Sequence, residues 1–537
     1  MATKMSRNGA AMAKGRESKT QDEVTPQSET AGPGVWLGFL AMCIGMFMAI
    51  LDIQIVATSL PAIRAALKIS PDQMSWIQTS YLIAEIIAIP MTGLLTRALS
   101  LRRLFLAALS LFTLASIACA LSSTLPQLIA ARVVQGLAGG CLIPLVFSAV
   151  FLLFPKRQQG IATTIAGVLA VLAPTLGPTF GGYITETFSW PWLFLVNVLP
   201  GLLACGLAFR VLPCGSREAG LLKTLDWLSL GALALSLASL EILMKEAPER
   251  GWLSGWALLW LAFCLIPGGL FIGRSLLRNA PLTNLRLFAE RDFAIACAAS
   301  FLLGIGLFGS VYLMPVFLGL VREHGPLTIG LIMLVTGSAQ LLTAPVTVRL
   351  ELRYDARVLA FFGFTLFAVG LGLSAFQTRE TDFAEMFWPQ VLRGAGIMFC
   401  LIPPTRIALG RLAPDSVPDG SALFNLMRNM GGAIGIGLID TVIWNRAPVH
   451  AEELGERVLG GDLDAAEFVG IPAYLVPDNP DLAPGPEAIA FVAPLFEKAG
   501  LVMAINDAWG LIGLVTLAAL AVLPFARRTP NPQNSAS

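Results

Sequence analysis

Three ionisable side chains sit inside stretches that are otherwise apolar. Asp52 lies within Ile50-Leu51-Asp52-Ile53-Gln54-Ile55-Val56. Glu85 lies within Tyr81-Leu82-Ile83-Ala84-Glu85-Ile86-Ile87. Arg132 lies within Leu128-Ile129-Ala130-Ala131-Arg132-Val133-Val134-Gln135-Gly136. A charge at the centre of a bilayer helix costs about 2.5–3.5 kcal/mol on insertion scales, so such residues face a cavity or a partner. A carboxyl that gains and loses a proton as its access alternates is what proton-coupled transport requires, and Asp52 and Glu85 are candidates for it. Each could instead be paired permanently to a buried Arg, or be neutral and bonded to backbone. Tyr81 is one turn before Glu85 on the same helix face. Gln135 follows Arg132 by three residues and offers both a donor and an acceptor.

A second group of residues suits movement rather than proton chemistry. Pro174-Thr175-Leu176-Gly177-Pro178-Thr179-Phe180-Gly181-Gly182 combines two helix-bending prolines with a close-packing face at Gly177 and Gly181. It reads as a pivot or seal, or else as a packing kink. Further along, Asn425, Arg428 and Asn429 precede Gly431, Gly432, Gly435 and Gly437. Cavity lining and helix packing both fit that pattern. Metal chemistry is not expected. The eight cysteines form no CxxC pair and there are only two histidines, His324 and His450. The sequence has no GxSxG elbow, no HExxH and no Walker A motif, so an enzyme is not expected either.

The elements that carry these residues must be membrane helices. Of 537 residues, 55% are hydrophobic and 13% charged, and the mean hydropathy is +0.73. A soluble domain carries about 25% charged residues. This composition excludes a disordered chain, a secreted disulfide scaffold and a nucleic-acid binder. Fourteen apolar segments are legible, at about 36–58, 73–94, 103–123, 126–149, 160–184, 191–212, 226–244, 255–276, 293–320, 327–347, 357–376, 384–408, 418–446 and 501–526. Lipid offers no partner to open backbone groups, so each must be helical. With both termini inside, the inside segments hold 24 of the 36 Lys and Arg residues and the outside segments nine. That is the positive-inside bias, and a missed helix would invert half of it. Residues 448–500 then form an outside loop with ten acids against two bases, its second half broken by prolines. It suits either a solvated loop or a docking surface for an external partner. Residues 1–34 and 527–537 read as polar cytoplasmic tails, the first of them disordered.

These residues together resemble the major facilitator superfamily, in its fourteen-helix drug:proton antiporter branch of the EmrB/QacA type. Leu51-Asp52-Ile53-Gln54-Ile55-Val56-Ala57-Thr58-Ser59-Leu60-Pro61 is similar to the branch's first-helix pattern, matching at Asp52 and Pro61 and departing at Gln54 and Ala57. Arg132, Gln135 and Gly136 match its R-x-x-Q-G pattern, which the resemblance links to proton coupling. Gly177, Pro178, Gly181 and Gly182 match its antiporter motif G-P-x-x-G-G, the most specific of the set. Trp190, Trp192, Phe194 and Asn197 match its W-x-W-x-F-x-x-N pattern. The loop between helices two and three departs most. The family's acid position holds Arg97 and a glycine is replaced by Ser100, so a latch between the two halves built on that acid is not expected.

The resemblance implies an all-α polytopic fold of two six-helix bundles plus two extra helices, with fourteen transmembrane helices. The N-terminal bundle would span 35–213, the inserted pair 214–281 and the C-terminal bundle 282–526. Arg393 in helix twelve echoes Arg132 in helix four. The implied activity is proton-driven efflux of lipophilic or amphipathic small molecules by alternating access across the bacterial inner membrane. No cofactor is implied beyond the coupling protons. Asp52, Glu85 and Arg132 are the expected coupling residues. Gln54, Tyr81, Gln135, Tyr312, Phe317, Asn425 and Arg428 are the expected substrate contacts, and Pro174, Gly177, Pro178, Gly181 and Gly182 the expected gating residues. Some relatives bind dications through an acid in helix ten. Segment 327–347 has none, so no preference for divalent cations is expected. EmrB-like members work with a periplasmic adaptor and an outer-membrane channel, and that partnership is expected here. Export of a single metabolite, such as a siderophore or toxic organic acid, is the alternative. A channel or membrane receptor is the non-transport alternative.

Overall fold

The computed structural model describes residues 31–69, 76–215, 220, 226–278, 281–472 and 486–527. Fourteen long helices run in the expected order. They are α1 (Pro33–Leu67), α2 (Trp76–Leu99), α3 (Leu101–Ala120), α4 (Leu125–Leu153), α5 (Lys156–Thr187), α6 (Trp192–Val211), α7 (Trp227–Arg250), α8 (Gly255–Leu277), α9 (Arg291–Leu320), α10 (Pro326–Glu351), α11 (Ala356–Leu373), α12 (Phe383–Leu409), α13 (Val417–Leu459) and α14 (Pro486–Val522). Among the described residues there is no strand. Thirteen of these helices are long and apolar enough to cross a membrane. The fourteenth, α5, qualifies if its two limbs, Lys156–Pro174 and Leu176–Thr187, count as one span across a 44° bend. Pro178 supplies the cause, since it lacks the amide that would bond back to the Pro174 carbonyl. The chain is a multi-pass membrane protein.

Local sequence sets several helix ends. The Asp226 carboxylate accepts from the Ser229 amide at 3.3 Å and so caps α7. The Ser254 hydroxyl accepts from the Ala257 amide at 3.2 Å to cap α8. Asp382 and Glu385 form a reciprocal capping box at the start of α12. These contacts satisfy amide groups that have no partner within the helix.

The first six helices enclose one core, centred on Phe39, Met42, Phe105, Phe112 and Phe147. Helices α9 to α14 enclose a second, around Leu303, Phe317, Phe364, Phe367 and Trp509. The two halves meet where α2 and α4 pack on α13 and where α5 packs on α10. Helix α7 packs on α8 and also lies against α2 and α13. Helix α8 leaves Leu258, Leu259, Leu265 and Ile266 exposed, a surface suited to lipid.

The segment 448–500 departs from expectation. It is largely helical rather than a loop. Helix α13 continues past the expected end at 446 to Leu459, and α14 begins at Pro486 rather than 501. A short helix, Leu463–Val469, lies between them. Leu454, Val458, Ala465, Ala466, Val469 and Ala499 form a small core there. Leu454 and Val458 are four residues apart on one helix face, with Glu452, Glu453 and Glu456 exposed around them. That is an amphipathic helix with a polar exposed face, invisible to a search for continuous apolar runs. The proline-bearing stretch 473–485 falls outside the described residues, as do residues 1–30 and 528–537 of the expected tails.

Candidate functional site

Helix geometry divides the polar residues of α1. Asp52 and Gln54 are two residues apart, about 200° around the helix, so they face opposite ways. Asp52 points into the N-terminal half and Gln54 into a cavity between the halves.

Asp52 belongs to a closed polar network. It forms an ion pair with Arg132 from α4, and both side chains are fully buried. Gln135 Nε2 donates to Asp52 Oδ1 at 3.0 Å, and Asn197 Nδ2 donates to the same oxygen at 2.8 Å. Arg132 Nη1 also donates to Gln135 Oε1 at 2.8 Å, and its Nε to the Ile77 carbonyl at 3.1 Å. Gln135 Nε2 reaches Ser116 Oγ at 2.9 Å. The guanidinium lies 4.3 Å from the centre of the Tyr81 ring and 5.7 Å from that of Phe194. The Tyr81 hydroxyl donates to the Ala49 carbonyl at 3.1 Å. A buried charge pair is tolerable only when its remaining lone pairs and protons are also engaged, and here nearly all are. Arg132 Nη2 is the exception, buried with no hydrogen-bond partner.

The cavity, with the part that opens to its surroundings, spans about 1030 Å³ and is walled by both halves and by α7. Its polar residues are Gln54, Glu85, Glu241, Arg428 and Asn429, and the rest of its surface is apolar, including Ile53, Leu82, Phe308 and Ile397. Helix α2 brings Glu85 here because Gly136 and Gly140 of α4 let its backbone approach closely. A Cβ at either glycine would collide with the Tyr81 or Glu85 carbonyl. In the same way Gly177 of α5 lies directly against Gln54. Pro174 lines the cavity. Ser59 of α1 donates to the Gly181 carbonyl at 3.4 Å, which places Gly181 in the α1–α5 contact, whereas Thr179 of the same stretch lies against Gly330 of α10.

Several expected substrate contacts lie elsewhere. Tyr81 and Gln135 are fully buried in the Asp52 network and do not line the cavity. Phe317 is a core residue of the C-terminal half. Tyr312 donates to Asp440 Oδ1 at 2.7 Å, away from the cavity wall. Asn425 is buried, donating to the Ser421 carbonyl at 2.8 Å and accepting from Arg428. The reason is common to all five. An apolar helix buries residues on every face, so polarity alone does not say which face meets the cavity. Gln54 and Arg428 do line it.

Three features escaped the sequence. Glu241 lies within the apolar part of α7 and reaches the cavity, although the signal that marked Glu85 was equally present. Asn197 was visible as a motif residue, but its bond to Asp52 spans 145 positions. The latch was expected to be missing because Arg97 replaces an acid. Instead Arg97 on α2 pairs with Asp419 on α13. The contact between halves is present with its acid on the C-terminal side. At the same end Asp226 pairs with Arg274 at 2.9 Å and Arg278 at 3.2 Å, tying α7 to the end of α8. Burial pushes the Asp226 carboxyl up, but bonds from Ser229 and Arg274 outweigh it and hold the group below the usual aspartate value.

Two helical halves around a shared, mostly apolar cavity, with a buried ion pair one helix face away, define a membrane carrier. The sequence profile of the Major Facilitator Superfamily matches residues 42–436, and the chain belongs to that family. It is 38% identical over 425 residues to the Colistin resistance protein EmrB of Acinetobacter baumannii, covering 79% of this chain and 83% of the relative. It is 31% identical over 421 residues to the Multidrug export protein EmrB of Escherichia coli K12, covering 78% and 82%. The fold is similar to that of the human organic anion transporter MFSD10, with a TM-score of 0.59 at 13% identity, covering 92% of this chain and all of that one.

Proposed function

We propose that this protein is a proton-driven exporter of varied lipophilic and amphipathic small molecules, working by alternating access in the bacterial inner membrane with both termini cytoplasmic. The observation that carries this is the separation of two sites on one helix. Asp52 is held in a sealed ion pair with Arg132, while Gln54, two residues on, faces a large apolar cavity between the halves. A proton on Asp52 cancels the charge that holds Arg132, and the network around α1, α4 and α6 must then rearrange. Because Gln54 packs on Gly177, that rearrangement reaches the α1–α5 contact and the cavity wall. An apolar cavity with few polar groups suits substrates of many shapes. The names of the relatives, a multidrug export protein and a colistin resistance protein, support the same class. Glu85, facing the cavity, is placed to take part in proton exchange or to meet a cationic substrate. The helical extension of α13 and α14 offers a surface for a periplasmic adaptor leading to an outer-membrane channel.

The test is proton movement on substrate addition in proteoliposomes, comparing wild type with Asp52→Asn. Wild type is expected to exchange protons for substrate. The variant is expected to lose uphill export while still binding substrate. Uphill export by Asp52→Asn at the wild-type rate would remove Asp52 from coupling.

A further inference from the structure

The two halves treat their equivalent arginines differently. In the N-terminal half, Arg132 on α4 meets Asp52 of α1 and the Phe194 ring of α6. In the C-terminal half, the matching helices are α12, α9 and α14. There Arg393 meets Met314 of α9, with 3.9 Å from Nη2 to the sulfur, and lies 4.7 Å from the centre of the Trp509 ring of α14. A thioether thus stands where the first half has a carboxylate. Among the described residues no acid pairs with Arg393. Its side chain is only 3% exposed, yet Nε and Nη1 have no hydrogen-bond partner. A buried guanidinium needs an anion, acceptors or water, and this one has only a ring face and a sulfur.

Arg393 borders a second, smaller cavity. Gln390 and Gln340 border it too, both buried. Gln390 Oε1 accepts from Thr336 at 3.0 Å, which leaves its Nε2 without a partner. Gln340 Oε1 is also unpartnered, and turning that amide presents its NH2 group instead. This annex shares Ala170, Pro174, Leu307, Val311 and Ile397 with the large central cavity, so the two adjoin. A molecule with an apolar body and an anionic head has a place for each part.

We propose that the annex is a headgroup subsite for carboxylate-bearing amphiphiles. Arg393 binds the carboxylate, Gln390 Nε2 supplies a further donor, and the hydrocarbon body lies in the central cavity. The exporter reading above supplies the route by which such a molecule enters and leaves.

The experiment uses the full-length protein in nanodiscs and measures binding calorimetrically with two probes of equal chain length, dodecanoate and dodecyltrimethylammonium. The readout is the ratio of their affinities, since misfolding lowers both. Arg393→Gln is expected to lower the dodecanoate ratio about tenfold or more, the scale of one lost charge-assisted hydrogen bond, and Arg393→Lys to restore most of it. Should Arg393→Gln not fold, Gln390→Leu decides, with a fall of about threefold or more expected. An unchanged ratio in the folded variant overturns the subsite. Chloride or acetate displacing dodecanoate at equal concentration would make the annex a small-anion site and overturn the amphiphile assignment. Wild type that exports a cationic lipophile but does not bind dodecanoate overturns the subsite alone. Wild type that binds dodecanoate through Arg393 but exports nothing against a gradient overturns the exporter reading alone.

Discussion

Arg132 is the residue on which most of the buried polar chemistry converges. It contributes charge to Asp52, a hydrogen bond to the Ile77 carbonyl and a cation to the Tyr81 ring. Removing one partner of a buried pair leaves the other uncompensated, at a cost of about 3–5 kcal/mol. Arg132→Ala is therefore expected to lower the melting temperature in detergent and reduce transport at least about tenfold, while the chain still inserts. Because the cost lies in the orphaned carboxylate, adding Asp52→Asn to Arg132→Ala should recover part of the lost stability without recovering export. Stability that is additive in the two substitutions would mean the pair is not energetically coupled. Arg132 and Asp52 were both legible in the sequence as charges in apolar runs. That they bind each other was not, because the contact joins positions 80 residues apart.

At the scale of elements, the number and order of helices follow from length and apolarity, but their ends and rotations do not. Continuous apolar runs mark α1 to α14. The extension of α13 escapes that measure because its exposed face carries Glu452, Glu453 and Glu456. Rotation matters more for function. Asp52 and Gln54 look alike as polar interruptions, and only helix phase sends one to the ion pair and the other to the cavity. The junction of α7 and α8 depends on one group that sequence did not mark. Asp226 caps α7 and holds Arg274 and Arg278 at the end of α8. Its carboxyl is held below its ordinary value of 3.8 in the folded protein. A depressed carboxylate contributes stability that is complete above the unfolded value and is lost as pH falls through the folded one. The inserted pair should therefore loosen on acidification below about pH 4, the ordinary aspartate range. Asp226→Asn should be less stable at neutral pH and lose little more on acidification over that range. Hydrogen exchange of α7 and the end of α8, measured from pH 6 to pH 3, reads this directly. Parallel acid responses in wild type and variant would show that Asp226 does not carry the effect.

At the scale of the whole molecule, alternating access requires that contacts between the halves break and reform. The Arg97–Asp419 pair joins α2 to α13 at one end, and it is partly accessible on the Arg97 side and buried on the Asp419 side. Its acid lies in the half opposite to the one the family pattern led us to expect. What the latch needs is opposite charges across the seam, and the side on which each sits is secondary. This predicts that Arg97→Asp, which sets two acids against each other, slows transport several-fold and favours the state in which that end is open. Asp419→Arg should do the same through two cations. The double exchange, Arg97→Asp with Asp419→Arg, should recover at least about half of the wild-type rate, because coupled neighbours are not additive. Spin labels on α2 and α13 near that end would report the open population in each variant. A double exchange that stays as slow as its worse single member would show that each residue acts through its own surroundings, for which Gly93 packed against Asp419 is the nearest candidate.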